Sequence, residues 1–329
     1  MNPYTGRAYK DEPGLPLISL INEGHLTWCW RRIRGEAPMK KAWTAWLAER
    51  RAADAGFAKG LDDPEKVSES SAVLIAFMAD IERKLVARQR AYMKELGVKA
   101  LLTNQNCGSH YTPLMAVRED LYDYVDDHFY VDHPQFLAKS WSLPSMCGNA
   151  NPVFAGTLPP VACAYTRMPT KPFTITEWNF SGPGMFRGVG GIMTGAMSAL
   201  QDWDGLWRFA YSHGLDNLYD RKGVPGYFDV ASDPLGQAGD RASVCLFLRG
   251  DLAPLADMIA NAVTPDTFLP KDGPTGLVPP WKDAAWQIRT ATAVKEVDGG
   301  VRTERDGRLL PRKLLLQVEG LQARNGLDG

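Results

Sequence analysis

This 329-residue chain predicts an α/β fold with parallel strands, followed by a short β segment. Three features point there. Short β-branched and aliphatic runs of the kind that form buried strands recur along the chain, each ending in polar or aromatic residues. Stretches of helical periodicity separate them, and strands that alternate with helices pair in parallel. From about residue 281 the texture changes to alternating segments broken by Asp298-Gly299-Gly300 and Asp306-Gly307, which read as hairpin turns.

The elements follow in order. Leu17-Ile18-Ser19-Leu20-Ile21 reads as the first strand and runs into Asn22-Glu23. Residues 36–97 read as helical: Trp43, Trp46 and Leu47 recur at helical spacing, as do Leu74, Phe77, Ile81, Leu85 and Met93, with Asp62-Asp63-Pro64 breaking the two groups. Ala100-Leu101-Leu102-Thr103 is a second strand, ending in Asn104-Gln105-Asn106. Residues 113–124 read as a helix and residues 124–130 as a third strand. A long loop rich in Pro, Gly and Asn, residues 136–170, precedes a fourth strand over residues 172–177, which carries Glu177. The small, apolar residues 188–200 predict a tightly packed helix leading into a fifth strand at residues 201–211. Residues 241–262 predict one more strand and helix, and the polar residues 323–329 a frayed end.

Composition narrows the function classes. The hydrophobic fraction of 45% and charged fraction of 23% are ordinary for a globular protein. A net charge of -1 with no basic tract gives no reason to expect nucleic acid or an anionic membrane as partner. No apolar run reaches the ~18 residues of a membrane span. The opening residues lack the apolar core of a signal peptide, although they resemble a domain interior, so an export signal could lie upstream. The five cysteines, Cys29, Cys107, Cys147, Cys163 and Cys245, show no C-x-x-C spacing and read as free thiols. Ten tryptophans are many for this length: they serve either an aromatic core or stacking on flat ligands such as sugar rings.

Glu23 and Glu177 each lie just beyond the C-terminal end of an apolar strand, where barrel enzymes place their chemistry. Two such carboxylates suggest a glycoside hydrolase pair. A (β/α)8 barrel has eight strands and typically about 250 residues, whereas five barrel-type strands can be read here. The expectation is a partial (β/α)8 barrel: residues 1–265 as its C-terminal part without the first three βα units, and residues 281–329 as the start of an appended β domain. An incomplete barrel would carry an open sheet edge.

The same motifs resemble the retaining glycoside hydrolases of clan A, and among them the family 5 barrels. Asn22-Glu23 resembles that clan's fourth-strand asparagine and acid/base pair, and Glu177 in Thr176-Glu177-Trp178-Asn179 its seventh-strand nucleophile. His128-Phe129-Tyr130 is similar to the sixth-strand His-x-Tyr, and Asp202-Trp203-Asp204-Gly205 to the eighth-strand segment with a sugar-stacking tryptophan. The opening Asn2-Pro3-Tyr4-Thr5-Gly6 and Asp11-Glu12-Pro13 resemble the stretch before the fourth strand in large bacterial members. The resemblance covers residues 2–260 and implies a carbohydrate substrate, no cofactor and no metal. A secreted or periplasmic location would follow if an upstream segment exists.

In that chemistry Glu23 protonates the leaving oxygen and Glu177 attacks the anomeric carbon. Asn22 would bind a substrate hydroxyl or merely cap a turn. Tyr130 would donate to Glu177, and His128, two residues earlier on the same face, would bind sugar hydroxyls or be structural. Asn104 and Asn106 are hydroxyl ligands or turn formers. Trp203 is the preferred stacking platform, with Trp178 and Trp207 competing for the role and core packing as the alternative.

Other motifs are weaker. Gly188-Val189-Gly190-Gly191 with Gly195 lacks the Lys-Ser/Thr of a phosphate loop and fits close helix packing. His25 is not at zinc-protease spacing from Glu23, Asp126-Asp127 has no third oxygen ligand nearby in sequence, and no G-x-S-x-G elbow occurs. The sequon Asn179-Phe180-Ser181 falls within the proposed site and is discounted. The competing expectation to an enzyme is a truncated, non-catalytic barrel remnant with at most weak carbohydrate binding. An aldolase or isomerase would need a metal cluster or Schiff-base lysine that the motifs do not provide.

Overall fold

A computed structural model describes residues 1–24, 26–107, 111–154, 158–219, 226–263 and 282–294. The fold is mixed α/β with parallel strand pairing. It divides into two compact units, one built on residues 1–125 and the other on residues 126–261 and 282–293.

The first unit holds β1 (Leu17–Ser19), α1 (Leu26–Ile33), α2 (Ala37–Ala53), α3 (Ala72–Glu95), β2 (Leu101–Thr103) and α4 (Thr112–Leu121). β1 and β2 pair in parallel, Leu17 opposite Leu101 and Ser19 opposite Thr103. The helical periodicity of residues 36–97 resolves into α2 and α3, whose apolar faces meet: Trp43, Trp46, Leu47, Leu74, Phe77 and Met78 are buried together with Trp30 of α1. Trp43 meets Phe77 edge-on at 5.0 Å, the arrangement that aligns ring edge with ring face. Its indole N–H donates to the Leu61 carbonyl at 2.9 Å, so a polar group enters this core with its hydrogen bond made. Here the tryptophan excess is structural.

A charged side chain is also buried there. Glu82 of α3 accepts from Asn104 Nδ2 and from the Tyr122 hydroxyl, each at 2.6 Å. The Tyr122 oxygen in turn accepts from the Gln105 N–H at 2.9 Å, and Arg118 donates to the Gln105 carbonyl at 2.9 Å. Burial, and then the Glu82 charge, push the Tyr122 phenol well above its ordinary pKa, so it stays a donor. This network ties α3 and α4 to the segment that leaves β2.

The second unit holds β3 (Val125–Val131), β4 (Gln135–Phe136), β5 (Ser145–Met146), α5 (Leu158–Thr166), β6 (Phe173–Phe180), α6 (Gly190–Leu200), β7 (Gly205–Arg208), α7 (Leu215–Tyr219), α8 (Pro234–Ser243), β8 (Met258–Val263) and β9 (Arg289–Val294). Its main sheet has the order β3-β6-β7, with β6 and β7 parallel. The five strands expected of a barrel are all present as β1, β2, β3, β6 and β7, but they fall in two sheets, and the described residues contain no closed barrel. β4 and β5 make an antiparallel hairpin inside the segment read as loop. α5 was also hidden there, because Leu158-Pro159-Pro160 reads as a break, although proline is tolerated in a first helical turn.

The Gly-rich segment is a packing surface, as its composition suggested. A Cβ on Gly191 of α6 would lie 1.8 Å from the Gly239 carbonyl oxygen of α8, and one on Gly195 2.7 Å from Ser243 Cα. Residues 241–262 hold helix and strand in the reverse of the expected order: the end of α8, a π-helical turn at Val244–Leu248 and then β8. β8 pairs with β9 and does not join the main sheet. Buried Gln201, just after α6, donates to the Ala285 and Ile288 carbonyls at 2.6 and 2.9 Å and accepts from Thr290 N–H at 2.7 Å. Residues 282–294 are thereby fastened to the helical layer. The turns expected at residues 298–300 and 306–307, and the rest of the appended β segment, lie outside the described residues, as does His25. Among the described residues no helix is long and apolar enough to cross a membrane.

The α6–α8 contact yields a stability prediction. Gly191→Ala places a methyl group against backbone, which cannot yield as a flexible side chain can, and should cost roughly 1–3 kcal/mol or more. Urea unfolding measures it. A midpoint equal to that of the unsubstituted protein would contradict the packing described.

Candidate active site

The second unit's candidate site is organised by an irregularity in β6. Ile175 pairs with Leu206 and Trp178 with Arg208, so Thr176 and Glu177 together stand opposite the single residue Trp207. In a regular strand two consecutive side chains point to opposite faces. An extra residue breaks that alternation and re-aims a side chain. Thr176 and Glu177 consequently both reach side chains of β3: Thr176 Oγ1 lies 2.9 Å from His128 Nε2, and Glu177 Oε2 accepts from the Tyr130 hydroxyl at 2.7 Å. His128 Nδ1 is 3.6 Å from the same carboxylate oxygen.

Beneath them sits Asp126, fully buried. Its Oδ1 accepts from Thr174 Oγ1 at 2.6 Å and from the Thr176 N–H at 3.1 Å, and its Oδ2 from the Thr176 hydroxyl. Burial raises the Asp126 carboxyl above its ordinary pKa, against the pull of the two threonine hydroxyls. When Asp126 is ionised, the one proton of the Thr176 hydroxyl is directed to it, which makes His128 Nε2 the donor in the Thr176 contact. The chain Asp126–Thr176–His128 orients the imidazole, with Nε2 toward Thr176 and Nδ1 toward Glu177. His128's side chain is only 1% exposed, whereas that of Glu177 keeps 19%. Glu177 is half-buried, as are Tyr130 and Thr176, so its carboxylate is open to a ligand.

The Tyr130 ring is held by Phe228 at 4.8 Å, His133 at 5.9 Å and Phe209 at 6.4 Å. Asn179 supports the same end of β6: its Nδ2 donates to the Phe209 and Phe228 carbonyls at 2.6 and 2.8 Å, and its Oδ1 accepts from Arg208 at 2.9 Å. With Asn179 buried in this way, the sequon there is a structural asparagine.

In the first unit, Asn22 and Glu23 form the turn after β1. Glu23 lies at φ 49°, a left-handed conformation that costs a non-glycine residue about 1–3 kcal/mol. Its N–H donates to Asn106 Oδ1 at 2.7 Å, and Asn106 Nδ2 donates to Asn22 Oδ1 at 3.2 Å. The buried Asn106 thus latches the turn from the end of β2. Asn22 is exposed and Glu23 half-buried.

Several expected roles need correction. Asn104 is 1% exposed and bonded to Glu82, so it supports the helix α3 contact and is no hydroxyl ligand. Trp203 is 3% exposed and packs edge-on against Phe173 at 5.3 Å, and Trp178 is 2% exposed, stacked on Phe129 and covered by the Arg208 guanidinium at 4.9 Å. Both rings are core, with no face left for a sugar. Of the three tryptophans considered, Trp207 is the exposed one. His128, expected to meet sugar hydroxyls, is enclosed between Thr176 and Glu177. Asp126, Thr174 and Thr176 were missed as site residues; their signal is the two-residue period shared by Asp126-x-His128-x-Tyr130 and Thr174-x-Thr176. Cys29, Cys147 and Cys245 are free thiols. Comparison of the chain with protein-family models, with curated proteins and with solved structures gave no match.

The raised Asp126 carboxyl makes a signed prediction. A folded-state pKa above the unfolded value means that the folded chain keeps a proton the unfolded chain has lost, so this group's contribution falls as pH rises from 3.8 through the raised value. Asp126→Asn removes that dependence and leaves a threonine hydroxyl facing an amide nitrogen that cannot accept, a cost of about 1–3 kcal/mol. Urea unfolding of both proteins should show the cost greatest near pH 4 and smaller near pH 7. A cost that grows with pH would contradict the assignment.

Proposed function

We propose that the protein is a retaining glycoside hydrolase acting on a β-linked oligo- or polysaccharide, with Glu177 as nucleophile and Glu23 as acid/base. We propose further that its parallel strands are parts of a (β/α)8-type barrel. The observation that carries the reading is the Glu177 carboxylate at the irregular end of β6, accepting from Tyr130 at 2.7 Å and faced by His128. A nucleophile must be held in one orientation while still reachable, and this glutamate meets both conditions. The left-handed turn at Glu23, latched by buried Asn106, supports a second placed carboxylate, since conformational cost of this kind concentrates at functional sites.

The chemistry assigned to these residues balances without a cofactor. A Glu177 oxygen attacks the anomeric carbon as the bond to the leaving oxygen breaks, and the Glu23 proton passes to that oxygen. Water then attacks the same carbon, its proton goes to Glu23, and the Glu177 carboxylate is released. Tyr130 and His128 act on Glu177 by positioning it.

The test uses aryl β-glycosides with a dinitrophenolate leaving group, which needs no protonation. Glu23→Ala should still form the glycosyl-enzyme and release a burst of phenolate, and azide should speed its turnover, because an anionic nucleophile needs no general base. Glu177→Ala should show no burst and lose at least the roughly 10²–10⁴-fold that acid–base assistance is worth. Equal, severe loss in both variants with no azide rescue, or no turnover of any glycoside by the unsubstituted protein, would overturn the proposal. The second outcome would favour a non-catalytic remnant.

A further inference from the structure

The β4–β5 hairpin carries an exposed tryptophan beside the candidate site. Gln135 pairs with Met146 and Phe136 with Ser145, the Leu137 N–H donates to the Pro144 carbonyl at 3.0 Å, and Trp141 sits in the connecting loop. Trp141 is 60% exposed, and its backbone is left-handed, φ 60°, which an indole-bearing residue rarely adopts. Four rings buttress it: Phe136 at 4.9 Å, His133 at 5.6 Å, Phe228 at 6.1 Å and Tyr227 at 6.2 Å. All four meet it at angles of 52–73°, tilted or edge-on. Tyr227 is pinned to the hairpin in turn, its hydroxyl 2.9 Å from Ser145 Oγ.

Rigid buttressing combined with exposure is costly unless the face is used. An exposed indole keeps its large apolar surface in water, and a strained backbone that persists does so because its surroundings hold it there. Two of the buttressing rings, Phe228 and His133, also pack against Tyr130, whose hydroxyl holds Glu177. Trp141 is therefore two ring contacts from the tyrosine that positions the candidate nucleophile.

We propose that Trp141 is a stacking platform for a sugar unit of the substrate other than the one whose bond is broken, the pyranose C–H face lying on the indole. This rests on the glycosidase reading for its ligand class. It makes the hairpin a determinant of chain-length preference: longer β-linked oligosaccharides gain a contact that an aryl monoglycoside lacks. The role expected of Trp203 and Trp178 thus passes to a residue in a segment whose sequence reads as loop.

The experiment measures binding of short β-linked gluco-, manno- and galacto-oligosaccharides to the full chain by calorimetry, alongside hydrolysis of an aryl monoglycoside. Trp141→Ala should weaken oligosaccharide binding about tenfold, the size of one aromatic contact, and Trp141→Phe should restore most of it. In the unsubstituted protein, bound oligosaccharide should protect Trp141 from oxidation by N-bromosuccinimide, read by peptide mass spectrometry, which does not depend on how the variants fold. Undiminished binding by Trp141→Ala, oxidation of Trp141 at the same rate with ligand bound, or no binding of any member of the panel would overturn the inference. Monoglycoside hydrolysis that persists through those outcomes would leave Glu177's role standing, and its absence with intact Trp141-dependent binding would remove the role and keep the platform.

Discussion

A β-strand alternates its side chains between two faces, and that alternation is the constraint on which the candidate site depends. In β6 the odd residues Phe173 and Ile175 are buried, and Thr174 bonds to Asp126. A regular continuation would turn Glu177 with the odd set, away from Tyr130. The additional residue between the pairs Ile175–Leu206 and Trp178–Arg208 brings Thr176 and Glu177 to β3 together. The pairing of Tyr130 with Glu177 follows from that one irregularity, as does the enclosure of His128 between Thr176 and Glu177. Downstream, Trp178 is returned to the core, where Phe129 and Arg208 cover it.

Each unit also buries a carboxylate and satisfies it by the same means. Glu82 takes its hydrogen bonds from Asn104 and Tyr122, and Asp126 from Thr174 and Thr176. Burying a charge is expensive unless donors converge on it, and a network left half satisfied costs more than an apolar core. Donors of fixed geometry therefore fix the strands that carry them. In the first unit this holds the end of β2, from which Asn106 reaches the Glu23 turn; in the second it holds β3 against β6. Stability and placement of the candidate site residues come from the same hydrogen bonds.

Much of the fold was legible because apolar periodicity reports burial directly. β1, β2, β3, β6, β7 and the helices α2, α3, α4 and α6 lie close to where the runs of Leu, Ile and Trp put them. What could not be read has identifiable causes. Two prolines concealed α5, two-residue strands are too short to show alternation, and whether parallel strands join one sheet depends on pairing partners far away in sequence. At the site, the residue types of Glu177, Tyr130 and His128 were readable but their roles were set by register: no local pattern marks the extra residue at Thr176-Glu177. Burial reversed the assignments of Trp203, Trp178 and Asn104, since a strand end and a core position carry the same aromatic or amide in sequence.

Glu177 is the carboxylate proposed to carry the covalent step. The most direct measurement is incubation of the protein with dinitrophenyl 2-deoxy-2-fluoro-β-glycosides, followed by peptide mass spectrometry. Fluorine at C2 slows both formation and hydrolysis of the glycosyl-enzyme, and the dinitrophenolate leaving group speeds only formation, so the intermediate accumulates on whichever residue attacked. The expected result is a single fluoroglycosyl ester on Glu177 and a stoichiometric release of phenolate. An ester on another residue, or turnover of ordinary aryl glycosides with no label on any residue, would contradict it.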